Sequence, residues 1–226
     1  TILDAPKDYL PGPNQPVYAP QNYENDYKGT ITLREVLEES RNVPTVKLMD
    51  LLTPEKVIPY ARSLGITSPI PPFLSTAIGA AEGTLIEMTS AYSAFPNQGV
   101  RMEPLMVVNV TDRDGNVLEE NYPEPHDALK ADTAAVMTSL LHGVVKEGTA
   151  RTAGAQLDWP LGGKTGTTDD FTDAWFIGFD PDITVGVWVG YNTKKTIGDK
   201  MSGAVAALPI WVDIMKSWVD RRRAEL

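Results

Sequence analysis

The sequence contains no cysteine, only two histidines and no long hydrophobic run. Without cysteine the chain can form no disulfide, no thiolate nucleophile and no cysteine-based metal site. His126 and His142 fall on a predicted loop and a predicted helix, and neither has partner ligands beside it, so we expect no metal and no cofactor. No apolar stretch approaches the roughly 18 residues that a membrane-spanning helix requires.

The sequence also has fewer positively than negatively charged residues. The 20 Lys and Arg residues stand against 30 Asp and Glu residues, which gives a net charge of −10 at pH 7. An acidic surface repels phosphate groups, so we expect no nucleic-acid partner and no anionic membrane surface as a partner. Arg221-Arg222-Arg223 is a local exception, which we interpret as the solvated end of a helix.

The chain is long enough for a substantial core, with 226 residues of which 42% are hydrophobic. The secondary structure that the residue pattern predicts changes twice along the sequence. Residues 1–30 form a proline-rich loop, residues 31–160 are mainly helical with a hairpin near 104–120, and residues 161–226 hold strands and a C-terminal helix. This order predicts a single α/β (α+β) domain in which helices flank an antiparallel sheet.

Local signals place several of the helices and turns. Thr32 and Glu35 form a capping box for a helix whose apolar face ends at Ser40, so we expect that helix to place Ser40 on its buried side. A second capping box, Thr84 to Glu87, begins another helix. Asp114-Gly115 is a strong turn signal for the hairpin.

The C-terminal part alternates in the manner of β-strands. Strands are predicted at 161–168, 174–179 and 183–191, and the tight turn at 180–182 makes the last two antiparallel neighbours. An amphipathic helix over 204–223 follows, with one apolar side that carries Leu208, Trp211, Ile214, Met215 and Trp218.

The most informative segment is Gly162 to Thr168, which combines three glycines, three threonines and Lys164 on a predicted strand. Glycine within a strand often marks the close approach of a ligand, and lysine supplies a compact cation. The segment therefore predicts a binding edge for an extended anion such as a peptide carboxylate. Taken alone, it is also compatible with a glycine-rich turn that carries an exposed lysine. A phosphate-binding loop would need glycine at position 158, where Asp158 stands.

A second motif lies upstream of this strand. Ser40-Arg41-Asn42 and Lys164-Thr165-Gly166 are two of the three motifs of penicillin-recognising serine acyl transferases, in the same order. Four further segments match the same family: 147–151, 173–179, 187–191 and 207–211. On these residues the chain resembles the transpeptidase domain of class A (bifunctional) penicillin-binding proteins over nearly all of its length. The resemblance implies the penicillin-binding protein transpeptidase fold, which serine β-lactamases share.

The resemblance also implies a chemistry for three residues. Ser40 corresponds to the hydroxyl that relays a proton toward the leaving amine, and Asn42 to the amide that bonds the substrate and positions the catalytic lysine. Lys164 corresponds to the cation that raises the local positive potential. In such a family a serine opens the D-Ala-D-Ala bond of a peptidoglycan stem peptide, and a neighbouring amine resolves the acyl-enzyme into a cross-link.

Three more residues are implied as substrate-binding. The hydroxyls of Thr165 and Thr167 would hold the terminal carboxylate of the stem peptide, with Gly166 between them on the strand. The Thr167 backbone N–H would form half of an oxyanion hole. A β-lactam antibiotic would bind as a mimic of the same peptide.

The third motif of the family, Ser-x-x-Lys, is absent from the sequence. None of the nine serines is followed by lysine three positions later, so no nucleophile is predicted within this chain. Thr53-Pro54-Glu55-Lys56 fits only a loosened pattern, and its threonine is better explained as a helix cap. In the family the motif precedes a proline-rich loop like residues 1–30. We therefore expect an upstream segment to supply the nucleophile, the first strands of the domain and a membrane anchor.

Two alternatives remain open on these residues. A D,D-carboxypeptidase on the same scaffold would use water in place of the acceptor amine. A non-catalytic peptidoglycan-binding or scaffold module would lack the serine altogether. Whether the enzyme is a transpeptidase or a carboxypeptidase, the resemblance implies that it acts on the periplasmic side of the bacterial cytoplasmic membrane.

Overall fold

The computed structural model describes residues 1–10 and 16–225. Its helices are α1 (Leu33–Glu38), α2 (Asn42–Leu52), α3 (Pro54–Ser63), α4 (Leu85–Ser93), α5 (Ala131–Lys146), α6 (Arg151–Leu157) and α7 (Leu208–Glu225). A short 3-10 helix covers Leu74–Ile78, and a π-helical turn, Gly203–Ala207, leads directly into α7. Among these described helices, none combines the length and the hydrophobicity that a membrane span needs.

The strands form one three-stranded sheet and three small two-stranded ribbons in the described part of the chain. They are β1 (Ile2–Asp4), β2 (Gly29–Ile31), β3 (Val100–Met102), β4 (Asn109–Thr111), β5 (Val117–Glu120), β6 (Pro125–Asp127), β7 (Gly162–Thr167), β8 (Asp173–Phe179) and β9 (Thr184–Gly190). The main sheet has the order β7-β8-β9 with both pairs antiparallel, as the sequence predicts. The ribbons are β1-β2, β3-β6 and β4-β5.

The largest hydrophobic core lies between the main sheet and α7. The indole of Trp211 is fully buried and meets the ring of Phe176 edge-on, with 4.9 Å between the ring centroids. Its N–H donates a hydrogen bond to the Val185 carbonyl at 3.1 Å, so the polar end of the indole is satisfied as well. Met215 lies one turn further along the same side of α7 and is also buried. The expectation that Ile214 shares this buried side is wrong, since it is 45% exposed.

Both predicted capping boxes are confirmed. The Thr32 hydroxyl accepts from the Glu35 N–H, and the Glu35 carboxylate accepts from the Thr32 N–H at 2.7 Å. At the start of α4, Glu87 caps Thr84 in the same way and also accepts hydrogen bonds from Ser68 and Thr67. These bonds hold the pKa of Glu87 well below its ordinary range and attach the preceding loop to α4.

Other sequence expectations need correction. Residues 1–30 are not only a loop, since β1 pairs with β2, and Tyr9 forms an isolated bridge with Tyr18. Of the prolines in this stretch, Pro11 and Pro13 lie outside the described residues. The hairpin turn at Asp114-Gly115 is confirmed, although β4 begins only at Asn109. The sequence patterns also gave no sign of α6 and the β3-β6 ribbon, because these elements are short and lack a clear period.

A buried ion pair fastens the first strand to the loop between α1 and α2. The Arg41 guanidinium donates to the Asp4 carboxylate at 2.7 and 2.9 Å, and both side chains are buried. Burial alone would raise the pKa of Asp4, but hydrogen bonds from Asn22, Arg41 and the Lys28 N–H outweigh it and lower that pKa. Arg41 also donates to the carboxylate of Asp26 at 2.7 Å.

We expect Arg41→Met to lower the free energy of unfolding by about 3–5 kcal/mol, because Asp4 would stay buried without its counter-charge. Urea titration of the protein that carries this chain measures the change. Arg113→Met is the matched control, since Arg113 is exposed near the tip of the β4-β5 hairpin and should change stability by less than about 0.5 kcal/mol. Equal losses in the two variants would contradict the account of the buried pair.

Candidate active site

Ser40 lies in a left-handed turn that ends α1. Its φ angle is +56°, its N–H donates to the Leu37 carbonyl, and the Arg41 N–H donates to the Val36 carbonyl at 2.9 Å. This pair of bonds is the Schellman arrangement, in which glycine usually occupies the left-handed position. Serine there carries backbone strain of about 1–2 kcal/mol. Ser40 is exposed, so the expectation that it lies on the buried side of the helix is wrong.

Lys164 reaches Ser40 from the middle of β7. Its Nζ donates to the Ser40 Oγ at 2.7 Å, which joins two residues 124 positions apart in the sequence. The same Nζ donates to the Thr165 carbonyl at 3.1 Å and lies 3.5 Å from the Thr165 hydroxyl. Because Lys164 lies within a strand rather than at the start of a helix, the phosphate-loop interpretation is excluded.

The surroundings of Lys164 lower the pKa of its side chain. Burial lowers the pKa of Lys164 to about 8. Within residues 1–10 and 16–225, no carboxylate lies close enough to form an ion pair with it. The ammonium group is therefore a cation without an anionic partner in the described chain. Such a group attracts an anionic ligand.

Asn42 is the first residue of α2, two positions after Ser40. Its amide nitrogen donates to the Gln21 carbonyl at 3.0 Å. No hydrogen bond joins it to Ser40 or Lys164 among the residues that the structure describes. Lys164 therefore contacts both Ser40 and Thr165, whereas the Asn42 amide is bonded to the N-terminal segment.

The open edge of β7 carries the remaining predicted residues. The Thr168 N–H donates to the Asp173 carbonyl, so by the alternation of an antiparallel ladder the Thr167 N–H faces away from β8. The Thr167 hydroxyl accepts a hydrogen bond from the Gly203 N–H at 2.9 Å. A Cβ on Gly203 would overlap the backbone oxygens of Trp175 and Gly166, so only glycine permits this close approach.

Thr149 is a site residue to which the sequence analysis assigned no role. Its hydroxyl lies 3.0 Å from the Thr165 hydroxyl, and its N–H donates to the Glu38 carbonyl at 3.1 Å. The signal for it is the segment Glu147 to Arg151, which matches the family. Neither histidine takes part in the site: His142 contacts the Leu161 carbonyl and His126 lies near Glu103.

The arrangement provides a cation, hydroxyl groups and an outward N–H along one strand edge. These groups can bind a carboxylate and stabilise negative charge that develops on a neighbouring carbonyl oxygen. Ser40 is held by Lys164, and the described residues place no carboxylate or histidine on its hydroxyl. The edge therefore offers groups that can bind an anion and stabilise nearby negative charge.

Solved structures define the class of fold. Penicillin-binding protein 1A from Haemophilus influenzae superposes with a TM-score of 0.90 at 23% identity, covering 96% of this chain and 38% of that chain. Penicillin-binding protein A from M. tuberculosis, solved as an imipenem acyl-enzyme complex, has a TM-score of 0.80 at 24% identity and covers 95% and 54%. The fold is that of the penicillin-binding transpeptidases, which confirms the predicted fold class.

Sequence comparison identifies the family itself. The model of the penicillin binding protein transpeptidase domain matches residues 5–216. Penicillin-binding protein 1A of Aquifex aeolicus is 43% identical over 216 residues, which are 96% of this chain and 30% of that protein. Its counterpart in Neisseria meningitidis is 36% identical over 223 residues, which are 95% of this chain and 28% of that protein. The chain therefore belongs to the penicillin-binding protein transpeptidase family, and it spans about 30% of the length of these curated relatives.

We expect Lys164→Ala to slow acylation by a penicillin roughly 100-fold at about pH 7, because the carboxylate of the drug loses its cation. The deficit should shrink as pH rises through about 8, where wild-type Lys164 also loses its charge. Second-order rate constants measured from about pH 6.5 to 9.5 test both points. A ratio of wild type to variant that stays constant across this range would contradict the role of the ammonium charge.

Proposed function

We propose that this chain forms one wall of the active site of a peptidoglycan D,D-transpeptidase. The observation that carries the proposal is the contact between Ser40 and Lys164 at 2.7 Å beside the open edge of β7, in a chain of the transpeptidase family. A lysine with a pKa of about 8 and no anionic partner in the described residues suits a substrate that ends in a carboxylate.

The substrate is the D-Ala-D-Ala end of a stem peptide, bound along β7. Its terminal carboxylate lies against Lys164 and the hydroxyls of Thr165 and Thr167. The scissile carbonyl oxygen lies near the Thr167 N–H, which faces the open edge of the strand. Donors of this kind lower the barrier by about 3–4 kcal/mol each when they point at the developing oxyanion.

Acylation then proceeds with Ser40 as a proton relay. The nucleophilic serine oxygen bonds to the scissile carbonyl carbon, and the carbon–nitrogen bond to the terminal D-Ala breaks. The proton of the attacking serine hydroxyl goes to the lysine of its Ser-x-x-Lys motif. Ser40, which Lys164 holds in place, passes its own proton to the departing amine and takes up the nucleophile's proton in exchange. An amine of a second stem peptide next attacks the acyl-enzyme, which forms the cross-link and returns the serine hydroxyl.

The nucleophile belongs to a segment outside these 226 residues. None of the nine serines precedes a lysine by three positions, so the chain contains no Ser-x-x-Lys motif. The same upstream segment supplies the membrane anchor, and the enzyme works on the periplasmic side of the cytoplasmic membrane. β-lactams acylate the same serine. The M. tuberculosis protein of the same fold was solved as an acyl-enzyme complex with the β-lactam imipenem.

Product analysis of the protein that contains this chain tests the proposal. We expect incubation with stem-peptide substrate and an acceptor amine to give a cross-linked dimer together with free D-Ala, in equal amounts. Liquid chromatography with mass spectrometry quantifies both products. A penicillin that acylates the enzyme should abolish both.

Two outcomes would reject the proposal in different ways. Release of D-Ala without any dimer would assign the site to a D,D-carboxypeptidase, in which water takes the place of the amine. Binding of stem peptide without release of D-Ala would assign the chain to a peptidoglycan-binding module. Lys164→Ala should lower the amounts of dimer and of free D-Ala to the same extent, because both products depend on the acylation step.

A further inference from the structure

Contacts between three segments close a ring around the mouth of the site. Lys164 donates to Ser40 at 2.7 Å, and its neighbour Thr165 lies 3.0 Å from Thr149 through their hydroxyls. The Thr149 N–H donates at 3.1 Å to the carbonyl of Glu38, which stands two residues before Ser40. The end of α1, the loop between α5 and α6, and β7 are thereby fixed to one another. Of these contacts, only the pair of hydroxyls depends on a side chain of the α5-α6 loop.

The backbone of that loop is held independently of the Thr149 side chain. A Cβ on Gly148 would overlap the Glu38 carbonyl oxygen, so glycine is required for the close approach. The Thr149 N–H then completes the attachment to the same carbonyl. The hydroxyl of Thr149 is therefore not needed to join the loop to α1, and its position beside Thr165 requires a separate explanation.

Hydrogen-bond direction supplies that explanation. A threonine hydroxyl has one proton and two lone pairs. Lys164 Nζ has no lone pair when charged, so toward the Thr165 hydroxyl, 3.5 Å away, it can act only as a donor. Either hydroxyl can donate across the 3.0 Å contact. With Thr149 as the donor, Thr165 accepts from Thr149 beside the Lys164 ammonium group, and its own proton remains for an acceptor other than these two groups.

We infer that Thr149 is a positioning residue that aims the Thr165 hydroxyl at the carboxylate of the bound ligand. This inference rests on the proposed function, since it concerns the same carboxylate. It adds a specificity element that the Ser-x-Asn and Lys-Thr-Gly motifs do not contain. A ligand with a charged carboxylate accepts a strong hydrogen bond from the Thr165 hydroxyl and is acylated faster. A ligand whose carboxylate is esterified has no charge there, so its rate of acylation depends little on that hydrogen bond.

The test compares a penicillin with its methyl ester on Thr149→Val and wild type. Valine keeps the shape of threonine and the N–H bond to Glu38 but removes the hydroxyl. We expect acylation by the free acid to slow roughly tenfold, the usual worth of a hydrogen bond to a charged group, and acylation by the ester to change less than about twofold. Intact-mass spectrometry measures both rate constants.

Two variants serve as controls, and a third can replace Thr149→Val. Thr149→Ser keeps the hydroxyl and should restore the rate with the free acid to within about threefold of wild type. Thr152→Val makes the same change at an exposed residue of α6 and should leave both rates unchanged. If thermal unfolding shows that Thr149→Val is not folded, Thr149→Ala provides the same comparison without the hydroxyl.

The outcomes separate this inference from the proposed function. Equal slowing of acid and ester would mean that Thr149 acts on the structure alone and would overturn the inference, as would unchanged rates for both. Either result leaves the transpeptidase proposal standing. A wild-type protein that takes up no penicillin would overturn the proposed function and the inference with it.

Discussion

The left-handed turn at Ser40 is the constraint on which the rest of the site depends. By ending α1 abruptly, it exposes the Ser40 hydroxyl to Lys164 and turns Arg41 inward to the buried carboxylate of Asp4. One tripeptide thus connects the active-site edge to the N-terminal strand. The strain of serine in a glycine position is offset by a buried ion pair on one side and by the hydrogen bond from β7 on the other.

Local chemistry made much of this structure predictable. Capping boxes located α1 and α4, the turn at Asp114-Gly115 located the hairpin, and alternation located β7, β8 and β9. These signals act over a few residues, so a sequence displays them directly. The motif around Lys164 indicates an anion-binding strand edge because it places a cation beside glycines and threonine hydroxyls, although the same residues taken alone are compatible with a turn. The family resemblance assigned Ser40 and Lys164 to one site, whereas their direct contact at 2.7 Å is seen only in the structure.

The features that sequence reasoning missed are contacts between distant segments. Nothing near Arg41 indicates that its guanidinium lies buried against Asp4, since arginine is usually exposed. The partnership of Thr149 with Thr165 depends on how the α5-α6 loop docks on α1. Helical periodicity alone puts Ser40 on the buried side, because it takes no account of the end of α1 at Glu38. Asn42 stands next to the site in sequence, yet its amide bonds to Gln21, which no spacing rule predicts.

The central claim is that Ser40, Lys164 and the edge of β7 form the wall of an active site whose nucleophile lies outside this chain. Identifying the residue that a penicillin acylates is the most direct test of it. The protein that contains this chain is incubated with a penicillin, digested, and the adduct is located by tandem mass spectrometry. The expected result is an adduct on a serine outside these 226 residues that is followed by lysine three positions later. An adduct on Ser40 would make Ser40 and Lys164 a nucleophile and its base, and would contradict the account.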